Sequence, residues 1–181
     1  MAKVLFYDIE TAPNLAYVWG HYDQNVIQQF REWYMMCFSY KWEGTQTTKV
    51  VSLPDFDLYD EDPENDREVV QALWDLIDEA DVVVAHNGDK FDMKKANARF
   101  IVHEMGPPAP VQQIDTLKAS KRYFKFNSNK LDDLGTHLTL GNKAATGGFA
   151  LWEGCMNGDE KAWRTMKKYA KQDVNLLADL Y

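Results

Sequence analysis

The chain has 181 residues, 45% of them hydrophobic and 13% aromatic, and a formal net charge of -8. That length and composition describe a globular chain able to bury a core, most simply one domain over residues 1–181, and they exclude a disordered or low-complexity protein. No apolar run reaches the length of a membrane helix and the amino terminus has no secretory pattern. Cys37 and Cys155 stand far apart, so a reduced, cytoplasmic protein without a Cys/His zinc site is expected.

Taken in chain order, Val4 to Glu10 reads as the central strand of a sheet, apolar on both faces until Asp8 and Glu10. Side chains alternate along a strand, so these two acids share the face of Val4 and Phe6. Two carboxylates there repel each other and lose hydration unless a cation sits between them. The strand end is therefore a candidate metal site. Pro13 closes the extended run, and residues 14–34, rich in aromatics, carry no clear periodicity. Residues 35–42 alternate as a strand, Glu43-Gly44-Thr45 turns the chain, and Thr47 to Leu53 is the β-branched partner.

An acidic loop follows, and Asp62-Pro63 is the expected start of a helix carrying Val69, Val70, Leu73, Leu76 and Ile77. Asp81 to Ala85 is a second buried strand, leading into His86-Asn87-Gly88-Asp89. With Asp89 as its cap, a helix is expected from about Lys90 to Met105. Gly106-Pro107-Pro108-Ala109-Pro110 ends it. Val111 to Ile114 is a short strand, and Asp115-Thr116 reads as a helix cap. Asn129 is expected to open a helix with Leu131, Leu134 and Leu138 on one side, Gly141 to Gly148 is loop, and the last helix covers roughly Asp159 to Leu180. Three strands, a helix, then alternating strands and helices predict an α/β mixed sheet: an antiparallel three-strand meander extended by parallel strands and flanked by helices.

The charge is unevenly spread. Residues 54–68 hold eight acids and one base, a charge of -7 that leaves the rest of the chain at -1. Lys118 to Lys130 and Lys161 to Lys171 each hold five bases and no acid, and the first interleaves them with Tyr123, Phe124 and Phe126. Cations mixed with aromatics suit a single strand of nucleic acid, whose phosphates pair and whose bases stack; a solvated helix face is the plainer reading of either stretch alone.

Spacing alone does not select the important acids. Asp-x-acid occurs at Asp8/Glu10, Asp55/Asp57, Asp60/Asp62 and Asp66/Glu68, and the last three read as solvated loop acids. Asp173 shares a helical stripe with Tyr169, Leu176 and Leu180, where the pattern asks for an apolar residue; a carboxylate there needs a partner or a metal. Asp92 is explained by the helix dipole alone, and gains interest because its strand opens onto the same rim as Glu10. His86 is a candidate supporting residue, while His21, His103 and His137 read as structural or exposed.

Three motifs in this order resemble the DEDD (DnaQ-like) superfamily of 3′–5′ exonucleases on the ribonuclease H-like fold. They are Asp8-Ile9-Glu10 followed by Thr11, then His86-Asn87-Gly88-Asp89-Lys90-Phe91-Asp92, then Tyr169-Ala170-Lys171-Gln172-Asp173. The Tyr-x-x-x-Asp form is that of the tyrosine (DEDDy) subgroup, which contains the proofreading domains of family A and B DNA polymerases. Asn129-Lys130-Leu131-Asp132-Asp133-Leu134 and Gly147 to Trp152 are similar to stand-alone, often phage-encoded exonucleases related to the family B domain, for which the compartment would be the host cytoplasm.

The resemblance implies 3′–5′ hydrolysis of single-stranded nucleic acid, DNA more than RNA, with release of nucleoside monophosphates. It implies two Mg²⁺ or Mn²⁺ ions held by Asp8, Glu10, Asp92 and Asp173, with Tyr169 orienting the water. Thr11, Asn87, Phe91, Lys121, Arg122 and Lys125 are the expected substrate contacts, a DNA polymerase or replication protein is a possible partner, and a monomer is expected. The leucine common four residues after the motif glutamate is Asn14 here; Leu15, Trp19 or Tyr22 stand in reach of its role. The rival readings are a non-catalytic ribonuclease H-like module that binds nucleic acid or a polymerase, an endonuclease on the same fold, and an acidic metal-binding protein.

Overall fold

The computed structural model describes residues 2–22, 25–142 and 147–181; part of the expected Gly141–Gly148 loop, residues 143–146, lies outside them. The elements are β1 (Val4–Thr11), β2 (Leu15–Tyr17), β3 (Gln28–Arg31), β4 (Met35–Trp42), β5 (Lys49–Ser52), α1 (Leu58–Glu61), α2 (Arg67–Glu79), β6 (Val82–Ala85), α3 (Asp92–Val102), β7 (Gln112–Asp115), α4 (Thr116–Tyr123), α5 (Leu131–His137), α6 (Ala150–Met156) and α7 (Glu160–Leu180). No helix among the described residues is long and apolar enough to cross a membrane.

The main sheet has the order β5-β4-β1-β6-β7. β1 pairs antiparallel with β4 and β4 with β5, while β1–β6 and β6–β7 are parallel. This is the mixed sheet expected from the sequence, with β1 at its centre. Alternate residues of β1 divide between two apolar clusters. Val4 and Phe6 meet Val174 and Leu177 of α7, and Leu5, Tyr7 and Ile9 join the larger core with Val69, Val70, Leu73 and Ile77 of α2 and Ala96 and Phe100 of α3. Burying both faces of a strand requires the near-continuous apolar run that Val4 to Ile9 supplies.

Gly135 sets how closely α5 approaches α7. A Cβ there would fall 2.6 Å from the Gly141 carbonyl oxygen and 2.8 Å from Leu176 Cδ1. Gly135→Ala is therefore expected to cost about 1–3 kcal/mol by overpacking, read as a lower urea midpoint with an unchanged slope.

Within this aromatic-rich stretch Leu15–Tyr17 and Gln28–Arg31 pair as a second, two-stranded sheet of β2 and β3. Asn14 anchors it: its Oδ1 accepts from the Trp33 N–H at 2.8 Å and from Gln29 Nε2 at 3.3 Å. Three- and four-residue strands are too short to show a period of two, which is why the sequence pattern hid them.

Several element starts differ from expectation. α2 begins at Arg67 with Asp66 at its cap position, so the helix does not start at Asp62-Pro63. α3 begins at Asp92 after Phe91, which moves its start away from an Asp89 cap. α5 begins at Leu131 after Lys130, and Leu138 is left exposed. Asp115 does cap α4, accepting from the Lys118 N–H at 3.1 Å.

The larger correction is Asp66. It is fully buried, not a solvated loop acid. Its carboxylate turns inward, accepting from the Met35 N–H at 2.7 Å, from Arg99, and from His103 Nε2 at 2.6 Å. Arg99 stands on α3 and His103 caps its end one turn later, so one carboxylate ties the start of β4 and the cap of α2 to α3. The remaining acids of the loop are exposed.

Candidate active site

The face of β1 that carries Asp8 and Glu10 is paired, residue for residue, with Ser39 and Cys37 of β4. α7 crosses this face and is held to it where Ser39 Oγ donates to the Ala170 carbonyl at 2.7 Å. Ala170 lies between Tyr169 and Asp173, so that contact fixes both. One carboxylate oxygen from each of Asp8, Glu10 and Asp173 lies within 4.8 Å of the others. Asp173 is 1% exposed and the other two are half-buried. Sequence distances of more than 160 residues close because a single helix returns across the central strand.

Tyr169 is half-buried one turn before Asp173, with its ring 6.1 Å from that of Trp152 in an edge-to-face arrangement. Burial, then the carboxylates of Asp173, Glu10 and Asp8, push its phenol well above the ordinary tyrosine value. The hydroxyl therefore keeps its proton at neutral pH and acts as a donor.

Asp92 is placed differently. β1 runs on past its last pairing with β6, Phe6 with Val84, and the Ile9 N–H beyond it donates to Asp92 Oδ1 at 3.1 Å. Asp92 is 2% exposed and adjoins the strand between Asp8 and Glu10, outside the close three-carboxylate set. The turn that delivers it is built by Asp115, which accepts from the Asn87 N–H at 3.0 Å and the Asp89 N–H at 3.3 Å. Asn87 has φ +74°, the left-handed region that asparagine tolerates, and a Cβ on Gly88 would lie 2.6 Å from that of Ala85. His86 Nε2 faces the Asn129 carbonyl at 2.9 Å. A carbonyl only accepts, so this nitrogen carries the hydrogen, and Nδ1 meets Thr116 Oγ1 at 2.9 Å. His86 thus braces the rim through Thr116 and Asn129.

The expected substrate contacts separate into two regions. Thr11, directly after Glu10, lines a cavity of about 650 Å³ with Asn14, Trp33, Lys95, Phe149 and Trp152. Lys95 Nζ lies 3.7 Å from the Trp33 ring centroid, 5.5 Å from that of the exposed Phe91, and 3.5 Å from Thr11 Oγ1. Burial draws the Lys95 ammonium below its ordinary value. Lys121, Arg122 and Lys125 are instead exposed on and after α4, together with Tyr123 and Phe124. In the second basic stretch Lys167 pairs with Asp55 at 2.5 Å and Arg164 with Glu160 at 3.3 Å, so two of its five bases are ion-paired. Leu15, Trp19 and Tyr22 are all exposed on the hairpin side.

Trp33, Lys95 and Trp152 are absent from the sequence reading of the site. Lys95 had a signal in its spacing, three residues after Asp92 on one helix, and Trp152 ends the Gly147 to Trp152 segment of the resemblance; Trp33 had none, because only the folding of the β3–β4 link, α3 and α6 around Thr11 brings the three together.

Three carboxylates converging without sulfur or imidazole form an oxygen-only donor set, which suits a hard dication such as Mg²⁺ or Mn²⁺. A family model described as the RNase_H superfamily matches residues 35–181, a span that contains Asp92, Tyr169 and Asp173. Among solved structures, the family B DNA polymerase from the hyperthermophilic archaeon Pyrobaculum calidifontis aligns with a TM-score of 0.73 at 16% sequence identity, over 99% of this chain and 24% of that one. The chain thus spans about a quarter of the polymerase it matches. No curated protein matches it in sequence.

Proposed function

The chain belongs to the RNase H superfamily, and on that premise we propose that it is a metal-dependent 3′–5′ exonuclease of the DEDDy type, one domain over residues 1–181. Its substrate is a single strand, DNA in preference to RNA, and its product a nucleoside monophosphate. The observation that carries this reading is the convergence of Asp8, Glu10 and Asp173 within 4.8 Å, with a protonated tyrosine one turn away.

In this reading Asp8, Glu10, Asp173 and Asp92 would hold the divalent cations, and Asp92 also secures the end of β1 by accepting from the Ile9 N–H. Bound there, two Mg²⁺ or Mn²⁺ ions would supply Lewis-acid stabilisation of the attacking and departing oxygens. Tyr169, whose hydroxyl donates to the Asp173 carboxylate, would orient the attacking water, and Trp152 packs edge-to-face on its ring. An ordinary phenol titrates at about 10, so its phenolate is scarce at neutral pH and a hydrogen-bonding role fits better than a base role. Lys121, Arg122 and Lys125 pair with phosphates farther along the strand. The likeness to a DNA polymerase supports a replication partner.

The test is single-stranded DNA and RNA, labelled at either end, incubated with Mg²⁺ or Mn²⁺ beside an Asp8→Ala control. Stepwise shortening from the 3′ end is expected. Internal cuts, or no cuts by the wild type, reject the reading, and binding without cleavage would point to a non-catalytic module. Tyr169→Phe keeps the ring and removes the donor. It is expected to slow single-turnover cleavage about tenfold, the worth of one oriented hydrogen bond, with unchanged affinity for the strand; an unchanged rate removes Tyr169 from the mechanism.

A further inference from the structure

The end of α4 and the segment after it carry a chemistry that the carboxylates do not use. Tyr123 and Phe124 are 68% and 61% exposed, set between Lys121, Arg122 and Lys125. Elsewhere Lys3, Arg31, Arg99, Arg164 and Lys167 each meet a carboxylate, and at the start of α4 Lys118 meets Asp89 at 3.1 Å. Lys121, Arg122 and Lys125 have no carboxylate partner among the described residues. On a chain of net charge -8, three neighbouring cations without partners set up a local field opposite to that of the whole. Their complement is an anion.

The rings are backed from behind. Arg122 lies 5.2 Å from the Tyr123 ring centroid, Phe124 lies 5.6 Å from Phe126, and Phe126 meets His137 of α5 edge-to-face at 5.4 Å. A cavity of about 360 Å³ on one side of α4 is lined by Asn87, Asp89, Lys90, Lys121 and Arg122. It includes the turn that delivers Asp92, so it leads from the rim of the carboxylate site to the patch. Exposed rings among cations fit unpaired bases on a phosphate chain. A duplex buries its base faces in its own stack, and an acidic peptide has no ring to stack. β7 lies two strands from β1, about 10 Å at the usual strand spacing, and the eight residues of α4 add about 12 Å along the helix. Crossing both takes on the order of five nucleotides at about 3.4 Å each.

We propose, building on the exonuclease reading, that this patch is a second, non-catalytic site for single-stranded nucleic acid. Tyr123 and Phe124 stack unpaired bases several nucleotides from the 3′ end, while Lys121, Arg122 and Lys125 pair with the phosphates beside them. Affinity then depends on strand length, and the gain appears only once the strand reaches the patch.

The test is fluorescence anisotropy of labelled oligothymidylates, about three and about twelve nucleotides long, on the full chain in EDTA, where metal-dependent cleavage does not compete. The longer strand is expected to bind at least about tenfold more tightly, from two stacked bases and the added phosphate contacts. Tyr123→Ser and Phe124→Ser are each expected to weaken it about fivefold, the low end for one base on one ring, and so to narrow the gap between the two lengths. Lys121→Gln, Arg122→Gln and Lys125→Gln are each expected to flatten the dependence of log affinity on log salt by about 0.7, the value for one phosphate of a single strand. Equal binding of the two lengths overturns the proposal, as does a Tyr123→Ser or Phe124→Ser effect that falls equally on both. A duplex of the same length that binds as tightly as the strand, or polyglutamate that displaces the strand as readily as unlabelled strand does, also overturns it, because either would mark a plain cationic surface. A long strand bound in EDTA but never shortened in Mg²⁺ rejects the exonuclease reading and leaves the patch standing, whereas shortening with no length dependence of kcat/KM rejects the patch alone.

Discussion

Asp8→Ala is expected to lower single-strand hydrolysis by about a thousandfold or more, the largest effect of any single substitution in the site. The same variant is expected to be at least as stable as the wild type in the absence of divalent metal. Asp8, Glu10 and Asp173 crowd three carboxylates within 4.8 Å, and removing one relieves a like-charge repulsion. Adding Mg²⁺ reverses the order. A cation bound by the folded state raises the melting temperature by mass action, and the wild type gains more than the variant because it keeps the full donor set. Thermal melts with and without Mg²⁺, beside the activity assay, separate these effects. A variant that unfolds without metal would make Asp8 a structural residue.

Asp66→Ala is expected to destabilise the fold by about 3–5 kcal/mol, the usual cost of removing one partner from a buried ion pair. It strands the Arg99 guanidinium and leaves the Met35 N–H without its acceptor. A urea midpoint shift of this size is the readout. The double replacement Asp66→Leu with Arg99→Met should cost less than Asp66→Ala, since it leaves no uncompensated charge. A near-neutral Asp66→Ala would mean that Arg99 reaches solvent freely and that the three-way tie between β4, α2 and α3 adds little.

Much of this protein was legible along the chain. β1, β4, β6 and α7 follow from runs and periods only a few residues long, and the sheet order follows from their sequence and from the rules of connection. Asp8 and Asp173 stood out because each is an acid where its own element asks for an apolar side chain. A misplaced charge of that kind is visible locally, since the neighbours that define the pattern are adjacent in the chain.

The partners of charges were not legible. Asp66 looked like seven other acids of its loop until α3 supplied Arg99 and His103, 33 and 37 residues away. Asp92 read as a helix-dipole acid until the Ile9 N–H, 83 residues earlier, took its carboxylate. Trp33, Lys95 and Trp152 line one cavity from the β3–β4 link, α3 and α6, with no shared period. Burial pattern is a property of neighbouring residues and is written in the sequence itself. Whether a given carboxylate meets water, a cation or a backbone donor depends on which distant segments fold over it, and only the tertiary structure decides that.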